Sequence, residues 1–167
     1  ALTVTGGGNV TLSGTNTYAG GTTVSAGTLT GTTTSVQGAI TNNAAVVFDQ
    51  ATSGTYAGVM SGTGSLTKSG SGTVILTNDN SYGGGTTING GVLQLGNGGT
   101  SGSITGNVVV NGADSLLAFN RSDTVTFAGD ISGTGGIMLM GPGTVRLTGN
   151  NTFTGGTAIG GGIVQAL

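Results

Sequence analysis

The chain repeats itself at long intervals with almost no gaps. Residues 8–29 recur as 72–93 and again as 143–164, with the same order of apolar, polar and glycine positions. Repeats of this length indicate units that stack on one another, because each unit is too small to bury its own apolar side chains. The sequence therefore predicts an elongated solenoid.

The aligned copies show which side chains face inward. Residues 10–12, 74–76 and 145–147 read Val-Thr-Leu, Val-Ile-Leu and Val-Arg-Leu. A position that accepts Thr, Ile and Arg is under no packing constraint, so the Val and Leu on either side of it face inward with the period of two of a β-strand. Each copy is predicted to hold two short strands joined by a corner.

An aromatic residue marks that corner. Tyr18, Tyr82 and Phe153 are each followed, two residues later, by a Gly-Gly pair, and glycine admits the positive φ of a tight bend. Because the third copy has Phe, we expect the ring to pack against the corner and the hydroxyl to be dispensable. Substitution of Tyr82 by Phe is then expected to be nearly neutral.

The spacing of the copies predicts the length of the full repeat. The interval from Tyr82 to Phe153 is longer by seven than the interval from Tyr18 to Tyr82, which predicts one seven-residue insertion, placed near Asn111 to Leu117. With about 20 residues per coil, the sequence predicts a single all-β domain, residues 1–167, that forms a parallel β-helix of about eight coils. The long repeats are placed at about 1–64, 65–135 and, incomplete, 136–167.

Composition excludes most other classes. Glycine accounts for 38 of the 167 residues, and Glu, Cys, His and Trp are absent. No segment has the apolar spacing and caps of a helix. The alternation of Val, Ile, Leu and Thr argues against disorder, because disordered chains are charged and poor in β-branched residues. No signal peptide or membrane-spanning run is present, and the chain begins inside a repeat, which favours an excerpt of a longer protein.

One copy carries a specific family resemblance. Residues 72–95 read Gly-Thr-Val-Ile-Leu-Thr-Asn-Asp-Asn-Ser-Tyr-Gly-Gly-Gly-Thr-Thr-Ile-Asn-Gly-Gly-Val-Leu-Gln-Leu. This order of strand, Asn-rich corner, aromatic ring, Gly-Gly-Thr-Thr, strand and Leu-Gln resembles the passenger-associated β-strand repeat of bacterial autotransporter proteins. The third copy departs from the pattern at Thr157–Ala158 and Gly160–Gly162.

The resemblance implies both a fold and a location. It implies a right-handed, single-stranded parallel β-helical passenger that is exported through the periplasm and outer membrane of a Gram-negative bacterium. The passenger is then secreted or displayed on the cell surface. The resemblance also implies a C-terminal translocator β-barrel in the same precursor, which residues 1–167 do not include.

The sequence offers little to catalysis. Acid–base chemistry needs a His or a pair of tuned carboxylates, and the acidic residues are scattered except for one group. That group, the best candidate for a site, comprises Asp114, Arg121, Asp123 and Asp130 beside the expected insertion. A solvated charge cluster on a loop is the favoured interpretation. We therefore predict no enzyme and no catalytic residue.

Metal, cofactor and nucleic-acid sites are not predicted either. Cys and His, the usual zinc ligands, are missing, and no Gly-x-Gly-x-x-Gly or Walker sequence occurs. A net charge of −2 with three basic residues disfavours binding to a phosphate backbone. Thr pairs such as Thr3-x-Thr5 do not recur on every coil, which argues against an ice-binding solenoid.

Two functions of different classes remain open. The first is a structural module: a surface stalk whose coil-by-coil folding outside the cell helps to draw the chain through the outer membrane. The second is a binding module that itself contacts a host receptor, a glycan or a neighbouring cell as an adhesin or secreted effector. Outer positions rich in Thr, Ser, Asn and Gly suit a passive rod better than a contact surface rich in Tyr, Trp and Arg. We favour the structural module, within a cell-surface adhesin or virulence protein.

The ends of the chain are expected to associate. A parallel β-helix exposes unpaired N–H and C=O groups at each end. Residues 163–167 form a strand-like end with neither Pro nor charge. The sequence therefore predicts end-to-end self-association. A host-cell surface is a second possible partner.

Overall fold

The computed structural model describes residues 1–167, which form β-strands and turns. The fold contains no helix that is long and apolar enough to cross a membrane. The predicted all-β class is confirmed. The strands in chain order are β1 Leu2–Val4, β2 Asn9–Thr11, β3 Thr22–Val24, β4 Thr28–Gly31, β5 Ile40–Asn42, β6 Ala45–Asp49, β7 Gly54–Tyr56, β8 Met60–Ser61, β9 Ser65–Ser69, β10 Thr73–Leu76, β11 Thr86–Ile88, β12 Val92–Leu95, β13 Val108–Val110, β14 Leu116–Phe119, β15 Thr124–Phe127, β16 Ile131–Ser132, β17 Gly136–Leu139, β18 Thr144–Leu147, β19 Thr157–Ile159 and β20 Ile163–Ala166.

Every strand pairs in parallel with a strand about one coil away in sequence. Val46 of β6, for example, pairs with Leu29 of β4 on one side and with Leu66 of β9 on the other. Parallel neighbours separated by one circuit of the chain define a solenoid, and the chain makes about eight such circuits. The predicted parallel β-helix is confirmed, while its right-handedness stays the expectation that the resemblance gave.

The coils have three flat sides, and each side carries a stack of strands. On two coils of face 1 the chain is irregular, and hydrogen bonds from Ser81 N–H to Met60 O and from Asn80 N–H to Ser103 O maintain the stack. Face 1 holds β1, β3, β5 and β8 and, after the two irregular coils, β15, β18 and β20; face 2 holds β2, β4, β6, β9, β11, β13 and β16; face 3 holds β7, β10, β12, β14, β17 and β19.

Inward side chains form one continuous core along the axis. In β6, Val46 and Phe48 are buried while Ala45 and Val47 are only partly buried, as the alternation of a strand requires. The buried apolar side chains join into a single cluster of 27 residues that runs from Val4 to Leu147. Because each coil contributes only a few of them, the coils stabilise one another.

The long repeat does not contain a whole number of coils. The first copy begins at β2 on face 2, the second at β10 on face 3 and the third at β18 on face 1. From one start to the next, the chain passes eight strands and two irregular segments, which are ten sides of a three-sided coil. The irregular segments are residues 12–21 and 32–39 in the first repeat and residues 77–85 and 96–107 in the second. Each repeat therefore makes three and a third circuits. Aligned residues of successive copies lie a third of a turn apart around the axis.

Each copy closes one coil on itself. Its first strand pairs with its last strand after a single circuit of the chain: Val10 with Leu29, Val74 with Leu93, and Val145 with Val164. A third strand, β3, β11 or β19, lies between them on another face. The copy thus contains three strands, where the sequence suggested two joined by a corner.

The seven extra residues of the second repeat all lie in one coil. Leu29 pairs with Val46, and the equivalent partners Leu93 and Leu117 lie farther apart in the sequence by the whole length of the insertion. Compared with the first repeat, the chain is four residues longer between β12 and β13 and three residues longer between β13 and β14. The position predicted near Asn111 to Leu117 is correct for three residues. The other four lengthen the segment that contains loop 96–102.

The aromatic ring of Tyr82 packs inside its corner as expected, but its hydroxyl also has a partner. Tyr82 is fully buried, and its Oη lies 2.7 Å from Thr86 Oγ1. Burial raises the pKa of the Tyr82 phenol, which keeps the hydroxyl protonated. Because Thr86 is buried as well, removal of the Tyr82 hydroxyl leaves the Thr86 oxygen without this partner. The expectation of a neutral Tyr82→Phe substitution is therefore corrected.

The last coil exposes apolar side chains. Ile159, Ile163 and Leu167 are 57%, 55% and 78% exposed, and no strand lies beyond β19 or β20 on their faces. End-to-end association of the 167-residue chain remains a prediction, and the concentration dependence of its sedimentation coefficient is the measurement that checks it.

We expect Gly91→Ala to destabilise the chain. Gly91 has a φ of 62°, and an added Cβ would meet backbone atoms of Ser71 and Gly72 in the preceding coil. Strain and an unavoidable clash with backbone together cost about 2 to 4 kcal/mol of unfolding free energy, measured by urea denaturation. The matched control is Gly99→Ala, where an added Cβ meets no atom within 4 Å. Equal losses in the two variants would contradict the close approach of the coils.

A double-mutant cycle tests the Tyr82 hydroxyl. Tyr82→Ala removes the buried ring and is expected to cost about 3 to 5 kcal/mol. Tyr82→Phe and Thr86→Val each break the same hydrogen bond and cost about 1 to 2 kcal/mol. The double variant should cost clearly less than the two single losses combined, because the bond is lost only once. Strict additivity in urea melts would show that the bond contributes nothing.

Candidate functional site

The main polar cluster surrounds loop 96–102, which leaves the coil after β12. Gly96 and Gly102, with φ of 82° and 97°, lie at the base of the loop. An added Cβ on Gly102 would meet the backbone of Gly96, so the chain leaves and rejoins the coil at almost the same point. Only glycine permits so close an approach with this backbone conformation. Residues 97–101 between them are exposed.

Arg121, one coil later, fills this loop. Its side chain is 7% exposed. Nη1 donates to Gly102 O at 3.2 Å and Nη2 donates to Thr100 O. Nε and Nη2 also donate to the two carboxylate oxygens of Asp123 at 2.9 and 2.8 Å. The planar guanidinium thus joins loop carbonyls to a carboxylate that it grips with two bonds.

Asp79 holds the loop from the preceding coil. Its Oδ1 accepts hydrogen bonds from Gly102 N–H at 3.0 Å and from the Ser103 hydroxyl at 2.8 Å, and it lies 3.6 Å from Arg121 Nη1. The hydrogen bond from Arg121 is the main cause that lowers the pKa of Asp123. The same bond raises the pKa of Arg121. The Arg121–Asp123 pair is therefore ionised at neutral pH.

The structure brings together two of the four predicted residues. Arg121 and Asp123 form the ion pair, whereas Asp114 lies exposed in the turn that follows β13. Asp130 lies at another corner, where its carboxylate accepts a hydrogen bond from Asn150 N–H at 2.7 Å. Asp79, which sequence reasoning missed, completes the cluster. It precedes Arg121 by two coils of unequal length, so only a coil-by-coil register could have found it.

The cluster fixes the shape of the loop. Arg121 directs its guanidinium nitrogens at protein oxygens, and both carboxylates accept hydrogen bonds from protein donors. No group of three or more His, Cys, Asp or Glu side chains lies close enough to hold a metal ion. The arrangement presents neither a free base nor an activated nucleophile.

A matching residue occupies the same place in the first repeat. Gln50 aligns with Arg121 when the two repeats are superposed on their sequence pattern. It is also buried, and its Oε1 accepts a hydrogen bond from Thr33 N–H at 3.0 Å. In both repeats, then, a long polar side chain from the next coil enters the connection that differs in length. The shorter connection receives an amide and the longer connection receives a guanidinium.

A second buried cation joins two successive turns. Lys68 is fully buried, and its Nζ donates to Ser69 O, Gly70 O and Gly90 O at 2.8, 2.8 and 2.9 Å. Three carbonyls satisfy the three hydrogens of the ammonium group. Burial lowers the pKa of Lys68, and the charge of Asp49 opposes this shift. The ammonium group is not exposed, and it links the turn at residues 69–70 to the turn at residue 90.

Comparison with known families identifies the repeated segments. The Passenger-associated-transport-repeat model matches residues 2–30, 66–95 and 140–166, which together are just over half of the chain. Each matched segment contains one of the coils that close on themselves.

The chain is also similar to a much longer protein. It is 39% identical over 150 residues to the Adhesin BmaC autotransporter of Brucella suis biovar 1 (strain 1330). The similarity covers 71% of this chain, which spans only 4% of the length of that relative. No solved structure matches the chain.

Arg121→Met should release loop 96–102. Methionine keeps the apolar stem but removes every hydrogen bond of the guanidinium, which we expect to cost about 2 to 3 kcal/mol because Arg121 is buried. Amide exchange should accelerate at Gly98 and Ser122, whose N–H groups bond to Asn120 O and Gly99 O across the loop.

The matched control is Arg146→Met. Arg146 is exposed, and its Nε donates only to Gln165 Oε1, at 2.9 Å. Its loss should change the unfolding free energy by less than about 0.5 kcal/mol. Similar losses for Arg121→Met and Arg146→Met would show that the hydrogen bonds of Arg121 do not stabilise the loop.

Proposed function

This chain belongs to the passenger-associated-transport-repeat family, and we propose that it serves as a structural β-helical segment of an autotransporter passenger. Its two roles would be those of a rigid stalk and of a segment whose folding outside the cell promotes translocation. The family match and the adhesin relative support secretion to the bacterial cell surface and imply a translocator domain in the precursor. The stalk and the folding role are our proposal.

The self-closing coil is the observation that carries the folding role. Each copy pairs its first strand with its last within one short circuit of the chain, as Val10 does with Leu29. Such short loops lose little entropy on closure and form quickly. A chain that emerges from a pore in sequence order could therefore close a coil without waiting for a distant segment.

Each finished coil then offers a template for its neighbour. β12 pairs with β10 on one side and with β14 on the other, so a strand with one free edge accepts the next segment to arrive. Each coil that is added also buries apolar side chains such as Leu93 and Leu95. Burial of one such side chain is worth about 1.5 to 3 kcal/mol, which would oppose slippage of the chain back into the pore.

Regular stacking supports the role of a stalk. The outward residues of face 2 lie in register from coil to coil, and most are β-branched side chains with restricted rotamers: Thr11, Thr30, Val47, Thr67, Thr87, Val109 and Ser132. Eight coils at about 4.8 Å each give a rod of about 40 Å. The internally satisfied cluster around Arg121 supports a non-enzymatic role within this proposal.

An inward and an outward substitution on one strand test the folding role. Leu66 is fully buried, whereas the next residue, Thr67, faces outward. In the precursor, Leu66→Asp should prevent its coil from closing, because a carboxylate would enter the core. We expect a several-fold loss of passenger that external protease can cleave on intact cells.

Thr67→Asp supplies the matched control, because it introduces the same charge on the solvent side. It should leave surface display and the unfolding free energy almost unchanged. Wild-type surface display of Leu66→Asp, combined with proof by urea denaturation that its coil is unfolded, would overturn the folding role. The stalk role would then stand on rod rigidity alone.

A further inference from the structure

An open groove lies where the first repeat has its shorter connection. Thr33, Gln37 and Gly38, between β4 and β5, form one wall, and residues 55–58 of the next coil form the other. The groove has a volume of about 360 Å³. Residues 126–129, the equivalents of residues 55–58 in the second repeat, line no groove; a groove of about 330 Å³ lies instead between residues 83–85 and residues 106–107.

The difference between the two corners follows from the lengths of their connections. The second repeat has four more residues at this place, and Arg121 binds the carbonyls of the loop that they form. In the first repeat, Gln50 stands where Arg121 stands and accepts a hydrogen bond only from Thr33 N–H. The shorter connection and the shorter side chain leave the corner unfilled.

Two glycines allow the two coils to approach each other closely at this corner. An added Cβ at Gly54 would meet Thr33 Oγ1, and one at Gly58 would meet Gly38 O and Tyr56 Oη. Tyr56 Oη donates to Gly38 O at 2.8 Å, which fixes one wall to the other. The groove therefore exists in the unliganded fold.

The walls hold hydrogen-bonding capacity that the fold does not use. Thr33 is 6% exposed, and its Oγ1 has no partner, but this oxygen is buried behind the groove surface. The Gln37 amide nitrogen donates to Thr34 O at 3.0 Å, which leaves the amide oxygen free to accept. Thr55 adds an exposed hydroxyl. The Gln37 amide oxygen and the Thr55 hydroxyl are thus open to a ligand.

The chemistry of these groups restricts the ligand. None of the lining residues is charged, so nothing in the walls would attract a phosphate or a carboxylate, and only two of the seven are apolar. A lipid or an apolar peptide anchor would find little to bury. Hydroxyl and amide groups on a concave surface match the dense, neutral hydroxyls of a sugar.

We propose that this groove binds a neutral saccharide. The proposal goes beyond the structural role and does not depend on it. Tyr56 is only 2% exposed, so no aromatic face is available for stacking and the affinity of one site should lie in the low millimolar range. Display of many copies on one cell would raise the effective affinity through multivalency.

Titration of the 167-residue chain followed by NMR tests this proposal. The probes are maltotetraose and a neutral galactose tetrasaccharide, with sialyllactose and inorganic phosphate as anionic comparisons. We expect saturable shifts of the Gln37 side-chain amide and of the Gly38 and Gly58 N–H groups with a neutral probe. Phosphate should cause no saturable shift.

Three variants assign the binding to the groove. Gln37→Met and Thr55→Val should each weaken it at least fivefold. Gln37 is only partly buried and Thr55 is exposed, so neither substitution should lower the unfolding free energy measurably, and a loss of binding then cannot come from unfolding. Thr126→Val changes the equivalent of Thr55 in the second repeat and should leave binding unchanged.

The proposal is overturned by any of three results. These are no saturable shift with a neutral saccharide, saturable shifts with phosphate or sialyllactose alone, or binding that Gln37→Met and Thr55→Val leave intact. None of these results bears on surface display of the Leu66→Asp precursor. Failure of the groove and failure of the folding role are therefore distinguishable.

Discussion

Hydrogen bonding between successive coils is the constraint on which the rest of the structure depends. Each strand pairs in register with the next, so Thr67 lies between Val47 and Thr87 and inward residues stack in the same way. A slip of one residue would turn every inward side chain of a strand outward. Extra residues can therefore be accepted only where the ladder is interrupted. The second repeat obeys this rule, since all its added length lies in the two connections around β13.

The close approach of the coils explains the glycine content. At the corner before the last strand of each copy, a positive φ coincides with contact to the coil beside it, so that a Cβ would strike a carbonyl oxygen. The residues are Gly27, Gly91 and Gly162, with φ of 75°, 62° and 69°. A chain with so much glycine loses much backbone entropy on folding. That loss is offset only when neighbouring coils bury their apolar side chains together. A single coil is therefore not stable without its neighbours.

Local features of the fold could be predicted from the sequence. The face of the solenoid on which each copy begins could not. The alternation at residues 74–76 reports directly on inside and outside, and the size of the insertion follows from the spacing of the aromatic corners. The number of sides in one repeat could not be predicted, because no single residue shows that ten sides are distributed over three faces. Asp79 was missed for the same reason. The hydrogen bond of the Tyr82 hydroxyl was missed because the third copy has a Phe at this position. The alignment of the copies also does not show that Thr86 lies beside the hydroxyl.

The third of a turn gained by each repeat distributes equivalent surface positions around the rod. The outward residue of the first strand is Thr11 on face 2, Ile75 on face 3 and Arg146 on face 1. No face then carries a periodic array from one repeat position, which suits a stalk with an even surface. Individual surface features come instead from the connections: the connection between β4 and β5 lines a groove, whereas the longer connection between β12 and β13 forms a loop that Arg121 binds. Since the connections lie outside the ladder, they can change in length and chemistry while the inward residues keep the rod intact, and one chain can therefore combine the proposed stalk with the proposed binding groove.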